Sequence, residues 1–253
     1  MQKISNKKIA IIGHTGFIGS NLKFFYKSKY NFNTKNYKSI HKKPKYDLVI
    51  LCAPSSKIWI ANKFPQKDYS NIKKIINVLK KIKTKKIVLI STIEVYGKKN
   101  NKSELNKVNK YLNTYYGKNR IYLEEFIKNF FSDSLIIRLP IVYGKNFTKN
   151  CIYDLQNKNN LNLLNGNDLL QLYNVKNLKR DIDFCLKKKI KLINISSKPV
   201  RLKFIAKKFF NIKLCLFKKP RIMMMKTCVF KKKKYFYSQR KVLDDLRYFI
   251  KKK

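Results

Sequence analysis

Few of the residues that mark metal sites, disulfide frameworks or membrane spans occur in this chain. Its five cysteines (Cys52, Cys151, Cys185, Cys215 and Cys228) form no C-x-x-C pair, and neither His14 nor His41 stands at ligand spacing to them. Neither a zinc site nor a disulfide framework is indicated, so no metal is expected, and a reducing cytoplasm is the expected compartment. No stretch approaches the roughly 18 to 20 apolar residues that span a bilayer. The apolar run at residues 9–12 is too short for a signal-peptide core. Arginine is rare too: the 60 basic residues include only seven, leaving 53 lysines. A formal charge of +47 attracts polyanions, but planar recognition of phosphates and bases favours arginine, and the lysines scatter along the whole chain. Alanine falls to four residues while asparagine reaches 27, the pattern that drift toward A/T-rich codons produces. Most of the charge is therefore read as compositional and solvated, and no specific nucleic-acid partner is expected.

Glycine is equally scarce, seven residues in 253, yet three of the seven stand three apart near the start. Lys8-Ile9-Ala10-Ile11-Ile12 reads as a strand buried on both faces and runs into Gly13-His14-Thr15-Gly16-Phe17-Ile18-Gly19, after which a helical pattern begins. This is the pattern of a dinucleotide site. Gly13 allows the tight turn, Gly16 lets the backbone approach a pyrophosphate, and Gly19 lets the helix pack close to the strand. The anion then sits on the free amide groups of the helix.

Beyond this loop, helices are expected near residues 17–28, 68–82 and 114–131, and strands at 30–36, 46–54, 86–91 and 135–139. Strands alternating with helices imply a doubly wound parallel sheet with helices on both faces, an α/β fold of Rossmann type. Residues 1–145 are expected to form this cofactor-binding domain. Residues 146–253 are expected to form a small C-terminal substrate lobe, with residues 178–195 packing back on the first domain. The segment 146–167 reads as loop and short helix, 178–187 and 201–210 as helices, and 191–195 as a strand. The basic stretch 218–234 suggests no element, and Met223 to Met225 are read as packing.

Chemistry centres on two places. Thr92 ends a central strand, at the edge where open parallel sheets bind their ligands. Tyr116 and Arg120, four apart, share one helical face. A phenol with a reference pKa of about 10 is a poor base at neutral pH, and a fixed cation one turn away supplies charge of the sign needed to improve it. Tyr69, Tyr237 and Tyr248 also have a cation four residues on. Only Tyr116 opens a long helix after the strand ending in Ser91-Thr92-Ile93-Glu94-Val95-Tyr96-Gly97, with Glu124 four residues beyond the cation.

At these residues the chain resembles the extended short-chain dehydrogenase/reductase family, the nucleotide-sugar epimerases and dehydratases. Residues 13–19 match the family's G-x-x-G-x-x-G loop, and Ser91 to Gly97 its S-[ST]-x-x-V-Y-G strand end. Tyr116-Gly117-Lys118-Asn119-Arg120 with Glu124 is similar to its Y-G-x-S-K-x-x-x-E helix. Arg138 to Gly144 resembles the next strand and turn, and Asn71 falls where the family has an Asn. The resemblance implies Thr92 as hydroxyl partner, Tyr116 as acid/base and Arg120 in place of a ribose-binding lysine. It implies NAD or NADP held by Gly13, Thr15, Gly16, Phe17, Ile18 and Gly19, by Cys52, Ala53 and Pro54, by Tyr116 and Arg120, and by Pro140 and Val142. Ser91, Glu94, Asn71 and Tyr143 would face a nucleotide-sugar substrate.

Departures from the pattern narrow the expectation. Ile93-Glu94 replaces the dehydratases' Asp-Glu pair, so dehydration is disfavoured. The stretch between Asn36 and Tyr46 is too short for the usual extra strand-helix unit. Thr34 to Ser39 offers no carboxylate for an adenine ribose, while Lys35 or Lys38 could meet a 2'-phosphate. The leading expectation is an NAD(P)-dependent epimerase or reductase, an oxidoreductase acting on a nucleotide sugar and compatible with a homodimer. The alternative is a catalytically inactive NAD(P)-binding protein, a sensor or subunit in which Arg120 marks a decayed site.

Overall fold

Four consecutive apolar residues, Ile9–Ile12, form the first strand in a computed structural model that describes residues 7–42, 45–97, 100–111 and 113–251. The chain runs through β1 (Ile9–Ile12), α1 (Phe17–Tyr26), β2 (Tyr30–Phe32), β3 (Leu48–Leu51), α2 (Ile58–Lys63), α3 (Pro65–Leu79), β4 (Ile87–Thr92), α4 (Tyr115–Phe130) and β5 (Ser134–Leu139). It continues through β6 (Ile141–Tyr143), α5 (Cys151–Asn157), β7 (Leu169–Leu170), β8 (Leu172–Asn174), α6 (Leu178–Lys187), β9 (Leu192–Asn194), β10 (Val200–Arg201), α7 (Leu202–Phe210) and α8 (Gln239–Lys251). Two compact units result. The first is drawn from Met1–Gly97, Val108–Arg138 and Leu178–Ile193, the second from Lys98–Lys107, Leu139–Asn177 and Asn194–Lys253.

The first unit holds a six-stranded parallel sheet in the order β2-β1-β3-β4-β5-β9, a Rossmann-like arrangement. Ala10 lies opposite Tyr30 on one side and Val49 on the other, and Val49 lies opposite Ile87. Successive side chains of a strand face opposite sides. Ala10, Ile12, Val49, Leu51, Ile87 and Leu89 therefore share a core with Ile72, Ile76 and Leu79 of α3 and with Leu123 and Ile127 of α4. Ile11, Ile50, Val88 and Ile137 are fully buried on the other face. There α1 meets β1 and α6, and the Tyr26 hydroxyl donates to Asp183 at 2.8 Å. The chain runs from β1 outward to β2 and then back to β3, which makes the β1/β3 boundary a topological switch point. Open α/β sheets bind ligands in the crevice at that point, outside the carboxyl ends of the strands.

Three local differences from the sequence reading have simple causes. β2 stops at Phe32 because Asn33 and Asn36 build a turn: Asn36 Oδ1 accepts from the Asn33 amide at 2.7 Å, and Asn33 Oδ1 accepts from the Lys35 amide at 2.9 Å. A 3-10 turn, Tyr37–Lys42, is the element described between β2 and β3, as the short segment required. The helices α2 and α8 were not anticipated. α2 spans only six residues, too few to show a period, whereas α8 has its buried Val242, Asp245 and Leu246 at helical spacing, a signal that the sequence does carry.

In the second unit, β6 pairs with β8 in parallel and β7 with β10 antiparallel. Its irregular backbone is tied by side chains. Gln171 accepts from the Met225 amide and donates to the Met225 carbonyl, both at 2.8 Å, and Met223 and Met225 are buried. Carboxylates supply the other ties. Glu104 accepts from the Asn194 amide and the Thr227 hydroxyl at 2.7 Å and from the Cys228 amide at 3.0 Å. Asp168 holds the Arg221 backbone and guanidinium, and Asp245 of α8 holds Asn177, Lys176 and Lys241. Among the described residues, no helix is long and apolar enough to cross a membrane.

Candidate active site

The glycine loop leaves β1 at the switch point, and its three glycines are not equivalent. Gly13 has φ of +88°, and a Cβ there would lie 3.0 Å from the carbonyl of Cys52, the residue after β3; a Cβ on Gly19 would run into the Gly13 carbonyl oxygen. Both serve the packing of the turn itself. A Cβ on Gly16 would meet only the Gly13 oxygen, at 3.5 Å. Space lies over the middle glycine, a cradle that a side chain would fill. Gly16 is also the N-cap of α1, which no side chain caps, so the helix presents its first amides toward the loop side. Thr15 and Gly16 are exposed, while Phe17, Ile18, Cys52, Ala53 and Pro54 are half-buried at the carboxyl ends of β1 and β3. Lys35 is exposed in the turn that follows β2.

At the end of β4, Thr92 caps the 3-10 turn Ile93–Tyr96, its hydroxyl accepting from the Glu94 amide at 3.2 Å. Thr92 and Glu94 are half-buried. The adjacent helix, α4, is fixed at its start by several ties. Thr114 caps the Gly117 amide, Asn62 of α2 accepts from the Tyr116 amide at 2.9 Å, and Asn113 reaches across to the Val95 carbonyl at 2.7 Å. Gly117, having no side chain, leaves the space that Asn113 occupies.

Tyr116 and Arg120 face inward from α4, each 5% exposed, with the guanidinium 4.3 Å from the centre of the tyrosine ring. Arg120 is also gripped from α3: it donates to both oxygens of Asp68 at 3.1 and 3.2 Å, and to the Ser55 carbonyl at 2.9 Å. Asn119 adds a hydrogen bond to the same carboxylate at 2.8 Å. Burial is the largest influence on the Tyr116 phenol and pushes it above the usual tyrosine value; the charge and hydrogen bond of Arg120 pull it down, and the carboxylates of Glu94 and Asp68 push it up. Arg120 thus acts on the phenol in the expected direction, but burial outweighs it.

Ser91 belongs to a different set of contacts. Its hydroxyl donates to Glu124 at 2.5 Å, Glu124 pairs with Arg138 at 2.5 Å, and Arg138 donates to the Tyr96 hydroxyl at 2.7 Å. This chain of contacts pins β4, α4 and β5 together. Removing one member of a buried ion pair leaves the other charge unpaired, at a cost of roughly 3 to 5 kcal/mol. Urea unfolding of Glu124→Ala should show a loss of about that size.

Asn71 is exposed on α3 and lines a shallow cavity with Ser55, Lys57 and Asp68. Pro140, Val142 and Tyr143 belong to the second unit. There Tyr143 is fully buried, its ring 5.4 Å from that of Phe249. Asp68 and Asn62 were given no role by the sequence, and Arg138 only a place in a strand motif. Asp68 carried a signal, because it stands at an inward position of α3, four residues before Ile72 and eight before Ile76.

The model of the NAD dependent epimerase/dehydratase family matches residues 9–196. Among solved structures, the chain is similar to a dTDP-4-dehydrorhamnose reductase from Bacillus anthracis in complex with NADP, with TM-score 0.77 and 17% identity over 98% of each chain. It is also similar to a UDP-N-acetylglucosamine 4-epimerase from Methanobrevibacter ruminantium, with TM-score 0.74 and 16% identity over 97% of each chain. A third is a UDP-glucuronic acid 4-epimerase from Bacillus cereus in complex with NAD, with TM-score 0.72 and 16% identity over 96% of this chain and 99% of that one. These likenesses establish a shared fold. No curated protein sequence matches the chain.

Proposed function

The chain belongs to the NAD dependent epimerase/dehydratase family, and from that premise we propose that it is an NAD(P)-dependent oxidoreductase or epimerase acting on a nucleotide-linked sugar. The space over Gly16 carries the reading, because the fold does not itself require a glycine there and a dinucleotide approaching the backbone does. When bound, the nicotinamide accepts or returns a hydride at a sugar carbon.

The chain's own residues would then handle the proton. Tyr116 takes it from the sugar hydroxyl and returns it, while the Thr92 hydroxyl orients the same oxygen. Arg120 stabilises the ionised phenol against its buried setting. The loop from Thr15 to Ile18, the open end of α1 and the β3 end at Cys52, Ala53 and Pro54 would hold the cofactor, and Pro140 and Val142 are carried over from the resemblance as further cofactor contacts. Lys35 would meet a 2'-phosphate if the cofactor is NADP. Glu94, Asn71, Ser91 and Tyr143 are carried over as substrate contacts; the bond from Ser91 to Glu124 and the burial of Tyr143 favour a supporting part for these two.

The test is turnover of a panel of UDP- and dTDP-sugars, followed by NAD(P)H absorbance and by epimer analysis. Thr92→Val should lower turnover about tenfold, or about 1.4 kcal/mol of transition-state stabilisation, since it removes one hydroxyl contact and leaves the base. A second reading, a cofactor-binding protein without turnover, is favoured by the commitment of Arg120 to Asp68 and Ser55. Cofactor binding without conversion of any sugar in the panel would establish it.

A further inference from the structure

The pair Tyr116 and Arg120 has a third partner that lies 48 residues earlier in sequence. Asp68 and Arg120 form an ion pair whose side chains are only 10% and 6% exposed. Arginine's planar fork matches a carboxylate in a bidentate way, and here the fork is engaged on both nitrogens by Asp68 while one also holds the Ser55 carbonyl. A guanidinium fixed on one edge in this way has its position set by its partners, and its central carbon lies 4.3 Å from the centre of the Tyr116 ring. The groups facing the phenol are Arg120 from α4, Asp68 from α3 and Glu94 from the turn after β4.

We propose that Asp68 is a positioning residue, which holds the Arg120 guanidinium against Tyr116 so that phenol and cation form one preset unit before any ligand enters. This rests on the reading of Tyr116 as the acid/base. Asp68 acts in two opposed ways: its charge repels a phenolate, and its grip keeps in place the cation that attracts one. Of these, the attraction by Arg120 is the larger. Losing the grip should therefore cost more than losing the repulsion gains, and the sign of the change reports which role Asp68 plays.

The experiment follows the ionisation of Tyr116 by NMR in protein labelled with ring-13C tyrosine, using Tyr116→Phe to identify the signal. It is accompanied by the pH profile of kcat and by NAD(P)H titration. In Asp68→Asn, Tyr116 should ionise about one pH unit higher than in the parent, with kcat near neutral pH down about tenfold. KM and NAD(P)H affinity should stay within about threefold, and Asp68→Glu should recover much of the loss. Ionisation at lower pH would make Asp68 merely a nearby charge, and unchanged ionisation would make its role structural; either result overturns the inference. Should Asp68→Asn not fold, the double variant Asp68→Asn with Arg120→Gln carries the test. Its Tyr116 should ionise at the same pH as in Arg120→Gln alone or somewhat lower, because only the repulsion by Asp68 is then lost, and ionisation at a clearly higher pH than in Arg120→Gln refutes action through Arg120. A parent inert on every sugar would refute the proposed function, and the NMR titration would still decide this inference.

Discussion

Gly16→Val is expected to abolish NAD(P) binding in a protein that still folds. The separation of the two effects follows from the unequal glycines of the loop. A side chain on Gly13 or Gly19 collides with neighbouring backbone, whereas one on Gly16 meets a single oxygen at ordinary contact distance. Valine at this N-cap costs about 1 kcal/mol as a poorer cap, a loss that an ordinary domain survives. Its branches occupy the space in which a pyrophosphate would approach the backbone. A titration following nicotinamide fluorescence, beside a thermal melt, measures both halves. Binding within tenfold of the parent in a folded Gly16→Val protein would overturn the assignment of the loop.

Tyr116→Phe should lower turnover by roughly 10² to 10⁴, the range for loss of a positioned general base, while cofactor affinity changes little. Phenylalanine keeps the ring that lies against Arg120, so packing is preserved and the proton acceptor alone is removed. The pH dependence has a definite sign. Because burial raises the phenol above its usual value, the ionised fraction is small near neutrality. Turnover limited by that fraction rises with pH, about tenfold per unit, until the phenol is ionised or the fold fails. An activity unaffected by Tyr116→Phe would place the acid/base elsewhere.

The sheet was legible because its signals are local: apolar runs of strand length, amphipathic helices between them, and glycines at the first turn. The second unit was less so. The stretch around Met223 to Met225 is held by the Gln171 side chain and by pairing of the Met223 amide with the Leu169 carbonyl, contacts between residues some 54 apart that leave no period in the sequence. The candidate site divides in the same way. Tyr116 and Arg120 share a helical face and were visible as a pair, whereas the partner of Arg120 sits on another helix. Only the acid on the inward stripe of α3 pointed to it, and a stripe position says that a side chain is enclosed without saying what it meets.

The use of carboxylates as internal ties bears on how this sequence can change. With only 13 acidic residues against 60 basic ones, ion pairing cannot neutralise the surface. Asp68, Glu124, Asp168 and Asp245 lie instead inside, where each ties together separate segments of the chain. A lysine on a solvated face can be gained or lost at little cost to the fold, so codon drift has a nearly free hand there. At the enclosed acids it has none, because one base change leaves a guanidinium or an amide stranded without its acceptor. Mutational tolerance is therefore expected to divide by enclosure: lysines on solvated faces should vary freely, and the enclosed acids with the arginines they hold should not.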